Sequence, residues 1–272
     1  MKTESYDKAF QWGRKKLEQY PNCEPLILNL AVCLDAYRII REVPDEAQYD
    51  PYLTSLYIRL LDSKDEAIRM SAADSLTGFY MRKKQYERAE KYLEYFSIQN
   101  PERKRKQAQI YAETGRIQEA YKAYEELLFT DYQRVSMELH GIYLLALKEN
   151  NIEKARSIVQ KQAEAAKFFE MGKYHEVSSR IEIAAMEKDA DAVIATMEAL
   201  FSGIEEIGSF RNSPLYEHME FKEMKEENLE QIKENLLKCF RDEESFEFLK
   251  NDARYQNLLL TAGKKDSLKS RD

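Results

Sequence analysis

The side chains best suited to chemistry in this sequence are three histidines, three cysteines and a large number of carboxylates. His140, His175 and His218 are isolated, with no His-Glu-x-x-His spacing and no cysteine near any of them, so nothing resembles a zinc ligand set. Cys23, Cys33 and Cys239 form no Cys-x-x-Cys pair; this excludes a zinc ribbon or disulfide framework and fits a reduced, cytoplasmic compartment. The glutamates of residues 200–247 recur at helical spacing and read as a solvated face rather than a general acid/base pair. No glycine-rich phosphate loop and no nucleophile motif occurs. The expectation is a non-enzymatic chain with no catalytic residue, no metal and no cofactor.

Cations offer a second kind of chemistry. Arg103-Lys104-Arg105-Lys106 is the densest basic run, but four consecutive helical residues fan over about 300° and cannot serve one flat surface. Arg82, Lys83 and Lys84 fall where a helix ends, and cations there complement the helix dipole. The formal net charge is −7, which opposes whole-surface attraction to nucleic acid or to an anionic membrane. The N-terminus lacks the apolar run of a signal peptide, and no stretch approaches about 18 uncharged apolar residues. Neither direct nucleic-acid binding nor membrane association is expected. The 18 Tyr and 12 Phe stand at helical spacings that make most of them packing residues.

The elements that must position these residues are helices. Only 8 Gly and 6 Pro interrupt 272 residues, and charged residues make up 33%, a composition of long amphipathic helices. The pattern predicts a helix over 4–19 ending at Tyr20-Pro21, one from Pro25 to Arg41, and one from Asp50-Pro51 carrying Leu53, Leu56, Tyr57, Leu60 and Leu61. Ser63 with Glu66 predicts a capping box and a helix start near Lys64. That helix runs through Tyr80 into a hairpin over 78–101, and Asn100 caps the next helix at Pro101. Glu113–Arg116 and Glu149–Asn151 read as short turns, with Gly115 supplying a left-handed helix end. Further helices are expected over about 172–188 and 190–202. Ser213 should then cap a long charged helix from Pro214 to about Phe240, in a region, 205–250, of net charge −6. SFEFLKNDARYQNLLL closes the core, and residues 263–272 read as a disordered tail.

Small and large residues recur in a fixed order. YDKA (6–9), YERA (86–89), IQEA (117–120) and IEKA (152–155) each place a large residue three before an alanine. Alanine admits a facing helix while the large side chain fills the gap between hairpins. The last two intervals, 31 and 35 residues, bracket a period of roughly 34. Val193 stands in the alanine slot of a weaker copy. Ala9 lies twelve residues before Pro21, as Ala89 does before Pro101, so the first helix reads as the second half of a hairpin whose first half lies upstream of Met1.

Residues 65–167 resemble tetratricopeptide repeats. Tyr80, Ala89, Leu93 and Pro101 match that consensus best, then Tyr111, Ala120 and Tyr124, while Ala73 and Thr77 stand where the consensus has tryptophan and glycine. The resemblance implies an all-α, tetratricopeptide-like superhelix of antiparallel hairpins: a repeat array over 1–203 and a C-terminal helical cap over 204–262. In the repeat register its inner face carries Asp74, Gly78, Met81 and Arg82, then Arg105, Gln109 and Glu113, then His140, Leu144 and Lys148, a mixed surface suited to a peptide or protein ligand. Repeats that grip peptide backbone commonly have asparagine where Gly78, Gln109 and Leu144 stand. The segments YPNCEPLILNLA, ADSLTGFYMRKKQYERAEKYL, NSPLYEHMEFKEM and FEFLKNDARYQNLL also make the whole chain similar to the C-terminal region of Gram-positive XRE-type helix-turn-helix transcriptional regulators. That resemblance implies a sensory or dimerisation domain, with a possible homodimer, whose DNA-binding domain is absent from this sequence. A freestanding adaptor or assembly scaffold is the alternative.

Overall fold

The computed structural model describes residues 4–242 and 244–264, so most of the expected tail, 265–272, lies outside the described residues. Among the described residues the chain forms thirteen α-helices and no strand. It divides into two compact units, Met1–Tyr124 and Glu125–Asp272, and the division falls inside a helix.

The first unit begins with α1 (Glu4–Gln19), α2 (Glu24–Ile40), a 3₁₀ turn (Glu46–Tyr49) and α3 (Asp50–Leu60). It continues with α4 (Glu66–Arg82), α5 (Tyr86–Tyr92) and α6 (Pro101–Glu113). Consecutive helices pack on one another, and α2 also reaches α4. Alanines make close packing possible: Ala31, Ala72, Ala73 and Ala89 are fully buried beside Leu76, Leu93 and Ile110. A second, aromatic cluster joins Tyr6 and Phe10 of α1 to Tyr49 and Leu53, with the Tyr6 hydroxyl donating to the Leu34 carbonyl at 3.3 Å. Burial pushes that hydroxyl's pKa up to about 12.

The expected capping box at Ser63 is not formed. Asp65 caps α4 instead, its carboxylate accepting from the Ala67 and Ile68 N–H groups at 2.9 and 3.3 Å. The Ser63 hydroxyl donates to Glu24 at 2.6 Å, so it ties α2 to the α4 entrance. Asn100 caps α6 as expected, accepting from Glu102 N–H at 2.9 Å.

A single turn design recurs through the chain. Lys84, Gly115, Asn150 and Lys188 all have positive φ, between 53° and 77°. In each case the next residue's N–H donates back to a carbonyl five residues earlier, at 2.9–3.0 Å: Gln85 to Tyr80, Arg116 to Tyr111, Asn151 to Ala146 and Asp189 to Ala184. This left-handed helix stop satisfies carbonyls that would otherwise be orphaned. Five residues after the stop stand Ala89, Ala120, Ala155 and Val193, all buried. The repeat therefore has a backbone as well as a side-chain signature, and Val193 occupies the alanine slot.

The hairpin reading needs one correction. Residues 117–148 form one uninterrupted 32-residue helix, α7 (Ile117–Lys148), where the repeat period implies a second-type helix followed by a new first-type helix. No Gly, Pro or Asn falls between Leu127 and Leu139, so nothing stops the helix there.

The second unit adds α8 (Ile152–Phe168), α9 (Lys173–Ser178), α10 (Arg180–Met186) and α11 (Ala190–Gly203). The expected 172–188 helix is thus broken at Ser179. Two 3₁₀ turns (Ser209–Asn212 and Pro214–Tyr216), α12 (Glu226–Asp242), a further 3₁₀ segment (Glu244–Leu249) and α13 (Ala253–Lys264) follow. The long helix expected from Pro214 is also corrected. Ser213 does cap, accepting from Leu215 N–H at 3.0 Å, but only one 3₁₀ turn follows and α12 starts at Glu226. Phe221 packs with Phe129, Phe210 and Tyr216, and the His218 N–H is taken by Glu125; both anchors hold the segment off a helical path.

Candidate functional site

In the first unit α2, the 3₁₀ turn, α3 and α4 bring six charged side chains together. Arg38 stands at the centre and is buried, its side chain only 4% exposed. Its Nη1 donates to Asp50 Oδ1 at 2.7 Å and to the Glu46 carbonyl at 2.9 Å, and its Nη2 donates to Asp35 Oδ1 at 3.1 Å. Arg82 reaches the other Asp35 oxygen at 2.8 Å, and Lys83 lies 3.1 Å from Glu46 and 3.2 Å from Asp50. Burial alone pulls the Arg38 guanidinium pKa down, but its hydrogen bonds to Asp50 and Asp35 outweigh that and hold it above its ordinary value. Lys83 behaves in the same way, with Glu46 and Asp50 overcoming burial.

Three cations thus meet three carboxylates, and all of them but Asp50 line a cleft of about 230 Å³ together with Ile39 and Phe79. Within the network every carboxylate has a cationic partner. The arrangement locks α2, α3 and α4 together, and it leaves no unpaired acid or base for proton transfer.

The expected recognition residues of this unit fall into two rows. On α4, Asp74, Gly78 and Arg82 follow one another at four-residue spacing; on α6, Arg105, Gln109 and Glu113 do the same. One bridge joins the rows, Lys106 Nζ to Asp74 Oδ1 at 3.0 Å. Arg82 is 40% exposed at its side chain and leans back onto Asp35. Arg105 pairs with Glu102, and Glu113 accepts from the Tyr86 hydroxyl at 3.0 Å. Gln109 is exposed. Met81 departs from the row: it is half-buried and packs against the unit's core. The basic run on α6 divides as the 100° helical spacing requires, with Arg103 donating to the Phe96 carbonyl, Arg105 paired to Glu102 and Lys106 to Asp74.

His140, Leu144 and Lys148 belong to the second unit, on the last turns of α7, and all three are exposed. The His140 ring stacks on Tyr143 at 6.0 Å. His218 does have a carboxylate partner: buried Glu125 accepts from its backbone N–H at 2.7 Å and lies 2.6 Å from its Nδ1. His175 is half-buried, with Nε2 3.3 Å from the Ile207 carbonyl, and burial lowers its pKa from the ordinary value. Among the described residues no group of three His, Cys, Asp or Glu side chains could hold a metal ion, and no helix is long and apolar enough to cross a membrane.

Sequence reasoning did not single out Asp35, Arg38, Glu46 or Asp50. Arg38 lies three residues after Asp35, which places them on one helical face, but nothing local marks Asp50 as the third member.

No protein family matches the chain, and no curated protein matches it. One solved structure, described as the crystal structure of BtubC (BKLC) from P. vanneervenii, aligns over 99% of this chain and 92% of its own at 11% identity and a TM-score of 0.27. A likeness that slight carries no argument about fold or function.

Proposed function

We propose that this chain is a non-enzymatic helical-repeat module that binds a peptide or protein through the solvent-facing rows of α4 and α6. One observation carries the reading. The two rows, Asp74-Gly78-Arg82 and Arg105-Gln109-Glu113, repeat at one helical turn on the sides of α4 and α6 away from the alanine-rich core. An extended or helical ligand is read by evenly spaced groups of that kind. Gly78 leaves open ground in the middle of the α4 row, where an added Cβ would meet only the flexible end of Arg82, at 3.4 Å.

The role as the sensory or dimerisation part of a bacterial transcriptional regulator is supported by the resemblance of the four sequence segments above. In that setting ligand binding would alter the packing of successive hairpins and bias whatever domain they carry. Selection from a random peptide library on the full chain tests the binding reading, with the Arg105→Ala, Gln109→Ala double variant as comparison. Selected peptides should lose affinity about tenfold or more for the variant; unchanged affinity would show that the face is wrongly assigned. An in-frame helix-turn-helix in the genomic DNA upstream of Met1 would support the regulator role, and a ribosome-binding site directly before Met1 would support a freestanding adaptor.

A further inference from the structure

The last turns of α7 carry an apolar stripe turned away from their own core. Tyr143 and Ala146 are buried against α8, while on the opposite side Met137 is 75%, Leu144 44% and Leu145 58% exposed. Gly141 lies in the middle of the stripe, and a Cβ built there would have nothing within 4 Å. Two opposite charges stand on the same side, Glu138 next to Met137 at the start of the stripe and Lys148 one turn beyond Leu144. Neither makes an ion pair among the described residues, whereas the neighbouring Arg134 lies 3.9 Å from Asp131.

We infer that this face of α7 binds the same face of a second copy of the chain, antiparallel about a two-fold axis near residue 143. The register follows from the residues themselves. A two-fold axis at position 143 places Glu138 opposite Lys148 of the second copy and, by the same operation, Leu145 opposite Gly141 of the second copy. Because the contact is isologous, each pairing occurs twice. The leucines fill the space that the glycines leave open, so the helices approach closely. The two charge pairs, about 15 Å apart along the helix, lie at the ends of the contact and fix direction and register. A parallel arrangement would set Glu138 against Glu138 and Lys148 against Lys148. The face therefore selects a second copy by charge as well as by its apolar character.

The inference names a dimerisation surface, and it is independent of ligand binding on α4 and α6. Sedimentation velocity of the full chain, over roughly 1–100 µM, tests it. The natural chain should sediment as a concentration-dependent dimer, and Leu145→Asp should be monomeric with an unchanged circular dichroism spectrum. Glu138→Lys alone and Lys148→Glu alone should each weaken association about tenfold, and the double exchange Glu138→Lys, Lys148→Glu should restore it. A monomer throughout that range overturns the inference. A dimer that survives Leu145→Asp, or that the double exchange fails to restore, overturns it equally. None of these outcomes bears on the peptide selection, so the two readings fail separately.

Discussion

Replacing Arg38 by Met should destabilise the first unit by about 3 kcal/mol, within the range measured when one partner of a buried ion pair is removed. The structure sets the lower end of that range. After the loss Asp35 keeps Arg82 at 2.8 Å and Asp50 keeps Lys83 at 3.2 Å, so neither carboxylate is abandoned. What remains unsatisfied is the Glu46 carbonyl and one oxygen each of Asp35 and Asp50, at a site that is only partly open to water. Methionine refills most of the volume, so little cavity cost is added. The assay is urea unfolding followed by the fluorescence of Trp12, the sole tryptophan, which lies in α1 and reports the first unit alone. With a slope of roughly 1.5–2 kcal/mol/M the midpoint should fall by roughly 1.5–2 M. Adding Asp50→Asn to Arg38→Met should return part of the loss, because it removes the one carboxylate in excess of the two remaining cations and leaves Arg82 with Asp35 and Lys83 with Glu46. A shift of Arg38→Met worth less than about 1 kcal/mol, or no recovery in the double variant, would refute the view that the network holds this unit together.

Three further outcomes follow from named contacts. Lys84 adopts φ 57° at the α4 stop, so Lys84→Gly should stabilise the unit by about 0.5–1 kcal/mol and raise its Tm by a few degrees. Glu125 accepts from the His218 N–H, and Glu125→Ala should cost about 2–3 kcal/mol in chemical denaturation monitored by circular dichroism, with His218→Ala costing less because the backbone N–H bond survives. Burial holds the His175 pKa below its ordinary value near 6.5, so the unfolded chain takes up the proton first; stability is full above about pH 6.5 and falls as pH drops from there through the folded-state pKa. Denaturation midpoints at stepped pH should show that slope in the natural chain and a shallower one in His175→Phe.

The fold was legible where local chemistry decides it, and the alanine slot shows why. Ala89, Ala120, Ala155 and Val193 are positions where only a small or compact side chain lets a facing helix approach, a steric demand written into the sequence one residue at a time. The left-handed stops were half legible. Gly115 announces itself, whereas Lys84 and Lys188 adopt the same backbone without glycine because the hairpin around them demands it. The candidate face was legible only as periodicity: Asp74, Gly78 and Arg82 could be placed on one side of α4, but their partners could not. Lys106 and Asp35 reach that row from other helices, and which cations remain available to a ligand depends on those tertiary pairings.

The same distinction explains two of the three corrections of helix extent. The repeat spacing implies a turn near residue 130, but no Gly, Pro or Asn stands between Leu127 and Leu139 to make one. In the structure the missing breaker decides, and α7 runs on to Lys148. Between Pro214 and Glu226 the balance is reversed. The local sequence is helix-compatible, but Glu125, 93 residues away in the chain, takes both the backbone N–H and the ring of His218, and Phe129 takes Phe221. Long-range contacts of that kind commit a specific backbone donor and a specific aromatic ring, and a helix through this segment would have to surrender both. Helix propensity differs by only tenths of a kcal/mol per residue, less than one buried hydrogen bond to a carboxylate contributes, so the tertiary contacts win.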